Sequence, residues 1–140
     1  MMKKVSLEEI NSYNKNTLMG HLGIECVEVG DDYVVATMPV DHRTHQPLGL
    51  LHGGASAALI ESIGSMGSTL ILDVSKEVPV GIEINANHLG GMKSGTVRAV
   101  GKIVHAGART HVWQVDLKDE STGHLVCTGR LTVMIVPRKN

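Results

Sequence analysis

A chain of 140 residues has the size of one domain and can bury a core without help from disulfides or metal. A hydrophobic fraction of 42% argues against disorder, and a formal net charge of −1 leaves no basic excess for a nucleic-acid backbone. The two cysteines, Cys26 and Cys127, lack metal-ligand spacing, and no signal peptide or membrane span is legible, so a soluble, cytoplasmic, single domain over residues 1–140 is expected.

Ser6 followed three residues later by Glu9 is a capping box, and it predicts a short helix running to about Tyr13. Residues 14–23 form a polar, Gly-punctuated connection with one helical turn around Leu18 and Met19. Residues 24–40 read as a hairpin turning at Gly30-Asp31-Asp32. Its first strand loses the apolar alternation at Val27-Glu28, while Val34, Ala36, Met38 and Val40 of the second share a face. A loop follows to Leu51, marked by Pro47 and Gly49.

Residues 53–72 form the one long helix, without proline and nearly all small or apolar, so it is expected to be buried on most sides. Four strands complete the chain, over residues 78–89, 97–105, 110–119 and 125–136. In the first of these Val80, Ile82, Ile84 and Ala86 alternate with Gly81, Glu83, Asn85 and Asn87. His111, Trp113, Val115 and Leu117 share one face of the third, and Leu125, Cys127, Leu131, Val133 and Ile135 one face of the fourth. Short turns imply that successive strands are antiparallel neighbours. The fold class is therefore α+β: one antiparallel sheet of about six strands, its apolar face covering one long helix. A single helix cannot cover both sheet edges, so dimerisation by sheet extension is expected.

Glu61 is the single formally charged side chain between Thr44 and Leu72. Its helical neighbours Gly54, Ala57, Ala58, Gly64, Ser65 and Ser68 are all small, which leaves room for a second helix or a ligand. Glu61 is thus either a residue at a helix–helix seam or solvent edge, or a partly desolvated carboxylate fit to act as base or nucleophile. His52-Gly53-Gly54 opens the same helix, where free backbone amides can hold an anion or an oxyanion. Two helical turns, roughly 11 Å, separate those amides from Glu61, a gap that a dimer closes if the two groups come from different subunits. The histidines form no HExxH pattern, so no metal is expected, and the serines form no GxSxG elbow.

The combination of Gln46-Pro47-x-Gly49-x-x-His52-Gly53-Gly54-Ala55-Ser56, Glu61-Ser62-x-Gly64-Ser65 and Gly81-x-Glu83-x-Asn85-x-Asn87-His88 resembles the hotdog-fold acyl-CoA thioesterases. The nearest branch is that of the 4-hydroxybenzoyl-CoA, phenylacetate-pathway and 1,4-dihydroxy-2-naphthoyl-CoA thioesterases. The resemblance runs from about Leu18 to Val136. It implies a hotdog fold and hydrolysis of an aromatic or medium-sized acyl-CoA without a cofactor, in a homodimer paired into a tetramer. It implies catalytic roles for Glu61 as nucleophile or base, for the Gly53 amide on the thioester carbonyl, for Gln46 and His52 beside the thioester, and for Ser65 in orienting water or carboxylate. It implies substrate or CoA contacts at Gly81, Ile82, His88, His105 and Arg109. A hydratase or dehydratase of acyl thioesters, or a non-catalytic acyl-CoA-binding dimer, are the alternatives on the same fold.

Overall fold

A computed structural model describes residues 1–140. Helix α1 (Leu7–Ser12) starts where Ser6 Oγ accepts the Glu9 amide at 3.1 Å, as the capping box predicts. The turn at Leu18 is a second short helix, α2 (Leu18–Leu22), ended by Gly23 in the left-handed region that glycine adopts freely. Strands β1 (Glu25–Val29) and β2 (Tyr33–Pro39) form the hairpin, and its register slips between Cys26 and Glu28, where the sequence loses its alternation. Helix α3 (Gly53–Ile71) is followed by β3 (Glu77–His88), β4 (Thr96–Ala106), β5 (Thr110–Asp119) and β6 (Leu125–Pro137).

The six strands make one antiparallel sheet in the order β1-β2-β4-β5-β6-β3. One neighbour relation expected from turn length is therefore wrong: β3 does not pair with β4. Residues 89–95 carry the chain from β3, at one edge, past β6 and β5 to β4, and they are pinned on the way by the buried Met92, whose carbonyl accepts the Leu51 amide at 2.8 Å. The composition of the strands explains the order. Val97 and Ala99 of β4 are fully buried, as central positions require, whereas β3 carries Pro79 and mostly exposed residues, which suit an edge.

Two further expectations need correction. Ile82 is an extra residue in a β-bulge between Gly81 and Glu83, so the period-two reading of β3 breaks there. Gly81, Ile84, Ala86 and His88 pair with the inward-facing Val133, Leu131, Gly129 and Cys127, and Val80 falls on the other face. A second slip between Leu117 and Lys118 takes Leu125 off the inner face of β6; it is exposed, and Val126 is buried instead.

The core lies between α3 and the concave face of the sheet, around Leu59, Ile60, Ile63, Trp113, Val115, Leu117 and Leu131. Close approach of helix to sheet explains two glycines. A Cβ on Gly64 would lie 2.4 Å from Leu131 Cδ2, and one on Gly67 would lie 2.3 Å from the Trp113 ring. Gly64 and Ser68, assigned above to the open stripe beside Glu61, thus belong to the sheet-facing side. The open side is Ala57, Ala58, Glu61, Ser62, Ser65 and Met66, all half-buried, so α3 is not covered all round. Ser68 Oγ holds the one polar junction inside the core, accepting from Trp113 Nε1 at 2.9 Å and bonding His111 Nδ1 at 2.9 Å. Burial lowers the His111 pKa and keeps that ring neutral.

The two sheet edges differ. At β1, Asn11 behaves like a strand residue: its Nδ2 donates to Cys26 O at 2.9 Å and its Oδ1 accepts Cys26 N–H at 2.8 Å, while Asn14 Nδ2 donates to Ile24 O at 3.1 Å. At β3 nothing comparable covers the edge, and Val80, Ile82 and Ile84 are 44%, 53% and 38% exposed. No helix is long and apolar enough to cross a membrane.

Candidate active site

The long helix offers two chemically distinct places. The first is its start. The chain enters from a loop closed by a bridge between His45 and Leu51, with His52 N–H donating to Thr44 O at 2.8 Å. Inside the loop the Gln46 side-chain oxygen accepts the Leu48 amide, so the Gln46 NH2 remains a free donor. Four amides open a helix without a partner one turn back. Here His52 donates to Thr44 O, Ala55 donates to His52 O at 3.0 Å, and Gly54 donates to His52 Nδ1 at 2.7 Å. Gly53 N–H alone has no acceptor. It points from the positive end of a 19-residue helix.

The two glycines of this motif have separate reasons. A Cβ on Gly53 would lie 2.8 Å from His88 Nε2, so His88 of β3 lies against the helix start. A Cβ on Gly54 would lie 2.8 Å from His52 Nδ1 and Cε1. His52, Gly53 and His88 therefore gather at one place, although His88 comes from β3 at the sheet edge, and Gln46 lies in the loop that leads into the helix.

The second place is two turns further along α3. Glu61 projects toward β3, where the absent side chain of Gly81 makes room for it: a Cβ there would lie 2.1 Å from Glu61 Oε1. Half-burial without a cationic partner raises the Glu61 pKa above its usual value of 4.5. Ser65 follows one turn on, on the same face. Beside it opens a groove of about 720 Å³, walled by Ser62, Ser65, Met66 and Thr69 of α3, by Val78 and Pro79 of β3, and by Tyr13, Leu18 and Met19 of the N-terminal helices. The sequence reading missed this outer wall. Its trace in the sequence is the apolar pair Leu18-Met19 in an otherwise polar connection.

Within one chain the structure does not join Glu61 to the Gly53 amide; the helix itself keeps them apart. His105 and Arg109 lie elsewhere again, at the β4–β5 turn. The His105 ring covers Gly107, and Arg109 O accepts the Ile135 amide at 2.8 Å, level with the start of β3. No group of three His, Cys, Asp or Glu side chains is arranged to hold a metal ion. Both cysteines are buried, and burial raises their pKa, which leaves them protonated and unreactive.

Residues 48–126, which span the end of the loop, α3 and strands β3, β4 and β5, match the thioesterase superfamily. The chain belongs to that superfamily. It is 48% identical over 134 residues to the 1,4-dihydroxy-2-naphthoyl-CoA hydrolase of Escherichia coli K12, covering 96% of this chain and 97% of the relative. It is 46% identical over 134 residues to the proofreading thioesterase EntH of Cronobacter turicensis, covering 96% of each. A variant of thioesterase PA1618 from Pseudomonas aeruginosa has the same fold, with a TM-score of 0.94 at 47% identity and 97% coverage of both chains. The expected hotdog fold is thus present, and this thioesterase is a hydrolase of thioester bonds.

Proposed function

We propose that this thioesterase hydrolyses an acyl-CoA, with an aromatic or medium-sized acyl group, in an active site shared between two subunits. The observation that carries the reading is the division of α3 into an amide half at Gly53 and a carboxylate half at Glu61. The thioester carbonyl accepts the free Gly53 N–H, beside Gln46, His52 and His88. Glu61 of the opposite subunit either takes the proton of an attacking water or attacks the carbonyl carbon itself. In both routes the carbonyl oxygen gathers negative charge against the helix N-terminus, and collapse expels the CoA thiolate; in the second route the acyl–Glu61 anhydride left behind is then hydrolysed by water, which releases the acid and regenerates the carboxylate. Ser65, one turn from Glu61, orients the water or the carboxylate. The acyl group enters the groove beside Ser65, whose volume suits an aromatic ring or a medium chain.

The condition of the two edges supports β3 as the seam between subunits: β1 is capped by asparagine side chains, and β3 is open and apolar. Gly81 and Ile82 lie on that seam. His105 and Arg109 are the groups we assign to the nucleotide end of CoA, where a guanidinium pairs with phosphate. Met134, exposed on the convex face, and Val104, exposed at a bulge in β4, support a second contact that pairs dimers into a tetramer. A cytoplasmic setting agrees with two unpaired thiols.

Complementation tests the shared site. Glu61→Ala lacks the carboxylate, and Gly53→Val drives a side chain into His88. Each homodimer should release almost no thiol from a panel of aromatic and aliphatic acyl-CoAs. Heterodimers purified through two different tags recover one intact site, hence about half of wild-type turnover. Heterodimers as inactive as both parents would place the amide and the carboxylate in one subunit and refute the proposal.

A further inference from the structure

Helix starts are usually capped by Ser, Thr, Asp or Asn, and this one is capped by a histidine ring. The first two helical positions are glycines, the residues that hold a helical turn least firmly. The donors in that turn are also unequally used. Ala55 is satisfied by His52 O and Gly54 by His52 Nδ1, while His52 N–H itself donates to Thr44 O, so Gly53 N–H alone is left. Because Nδ1 accepts, the ring proton resides on Nε2. The glycine at 54 is required by the same contact, since any side chain there would strike the ring.

We propose that His52 is a positioning residue that acts through Gly54: by capping the Gly54 amide in its Nε2–H tautomer, it removes the competing donor and fixes Gly53 N–H as the one amide aimed at the thioester carbonyl. The proposal rests on the carbonyl-binding role of Gly53 given above. It separates His52 from the groups that touch the reacting atoms and gives the paired glycines distinct purposes. Gly53 makes room for His88, and Gly54 makes room for the cap.

Two substitutions and their combination test this. His52→Ala removes the cap and should lower kcat about 100-fold, the cost of losing an aligned oxyanion donor, with KM changed far less. His52→Asn supplies a better capping side chain without an imidazole and should recover most of that loss. Gly54→Ala displaces the ring and should fall as far as His52→Ala, and the double variant no further. An Asn variant as inactive as the Ala variant would assign the chemistry to the imidazole itself and overturn the proposal. Additive losses in the double variant would do the same. An independent readout is the nitrogen NMR spectrum of the wild-type protein labelled at histidine. A His52 ring with unprotonated Nδ1 at neutral pH supports the cap; Nδ1–H or imidazolium overturns it. If the wild type turns over no acyl-CoA, the reading of Gly53 fails, and the NMR spectrum still decides the cap.

Discussion

One methyl group at Gly81 should act on catalysis through the Glu61 carboxylate. An alanine Cβ there would lie 2.1 Å from Glu61 Oε1, 3.0 Å from its Cδ and 3.2 Å from Oε2. Ordinary contact begins at 3.4 Å, so the nearer carboxylate oxygen must retreat by about 1.3 Å. The carboxylate can do so by rotating its own side chain, because it has no hydrogen-bond partner to lose. A displacement of about 1 Å in a reacting group costs on the order of 100-fold in rate. The strand loses nothing, since alanine is favoured over glycine in a strand interior by about 0.5–1 kcal/mol. Gly81→Ala should therefore lower kcat for thiol release about 100-fold at an unchanged or slightly raised Tm. Gly91→Ala is the control, because a Cβ there meets only the Leu50 methyls at 3.7 and 3.8 Å. Turnover by Gly81→Ala within threefold of wild type, in a folded protein, would show that Glu61 does not work from its position against β3.

Glu61→Gln should abolish turnover by more than about 1,000-fold while leaving stability intact or improved. The sign follows from burial: the folded state raises the carboxyl pKa above the unfolded value, so ionisation opposes folding once pH passes the unfolded value. The Tm advantage of the variant should grow from acid to neutral pH, and a steady loss of Tm at neutral pH would contradict it. In the wild type the same shift puts the acid limb of kcat/KM above the usual glutamate value of 4.5. Ser68→Ala strips the partner from both Trp113 Nε1 and His111 Nδ1 inside the core. A buried donor left unpaired costs about 1–3 kcal/mol, which lowers Tm by roughly 3–10 °C. Turnover per folded molecule should not change, and equal stability of the two proteins by thermal melting would count against the network.

The local chemistry of the chain was decided by the sequence. Capping at Ser6, the Gly30 turn, the long proline-free run from Gly53, and the inward faces of β2 and β5 all follow from spacing and turn residues. So does the special standing of Glu61, a lone carboxylate among small neighbours. What needed three dimensions were the relations between distant elements. Turn length suggested that β3 pairs with β4, but edge position depends on which strands can be buried on both neighbours, and Pro79 was the one local sign of it. The bulge at Ile82 is set by how β3 bends along β6, and no alternation in the sequence announces it. The stripe of small residues on α3 looked uniform in sequence, yet Gly64, Gly67 and Ser68 serve contact with Leu131, Trp113 and His111, whereas Ala57, Ala58 and Ser65 stay open near Glu61. That division depends on where the sheet curves around the helix. The positions of Gly81 beneath the carboxylate and of His88 over Gly53 depend on it too, because a strand packed along a helix brings together residues that sequence spacing alone keeps apart.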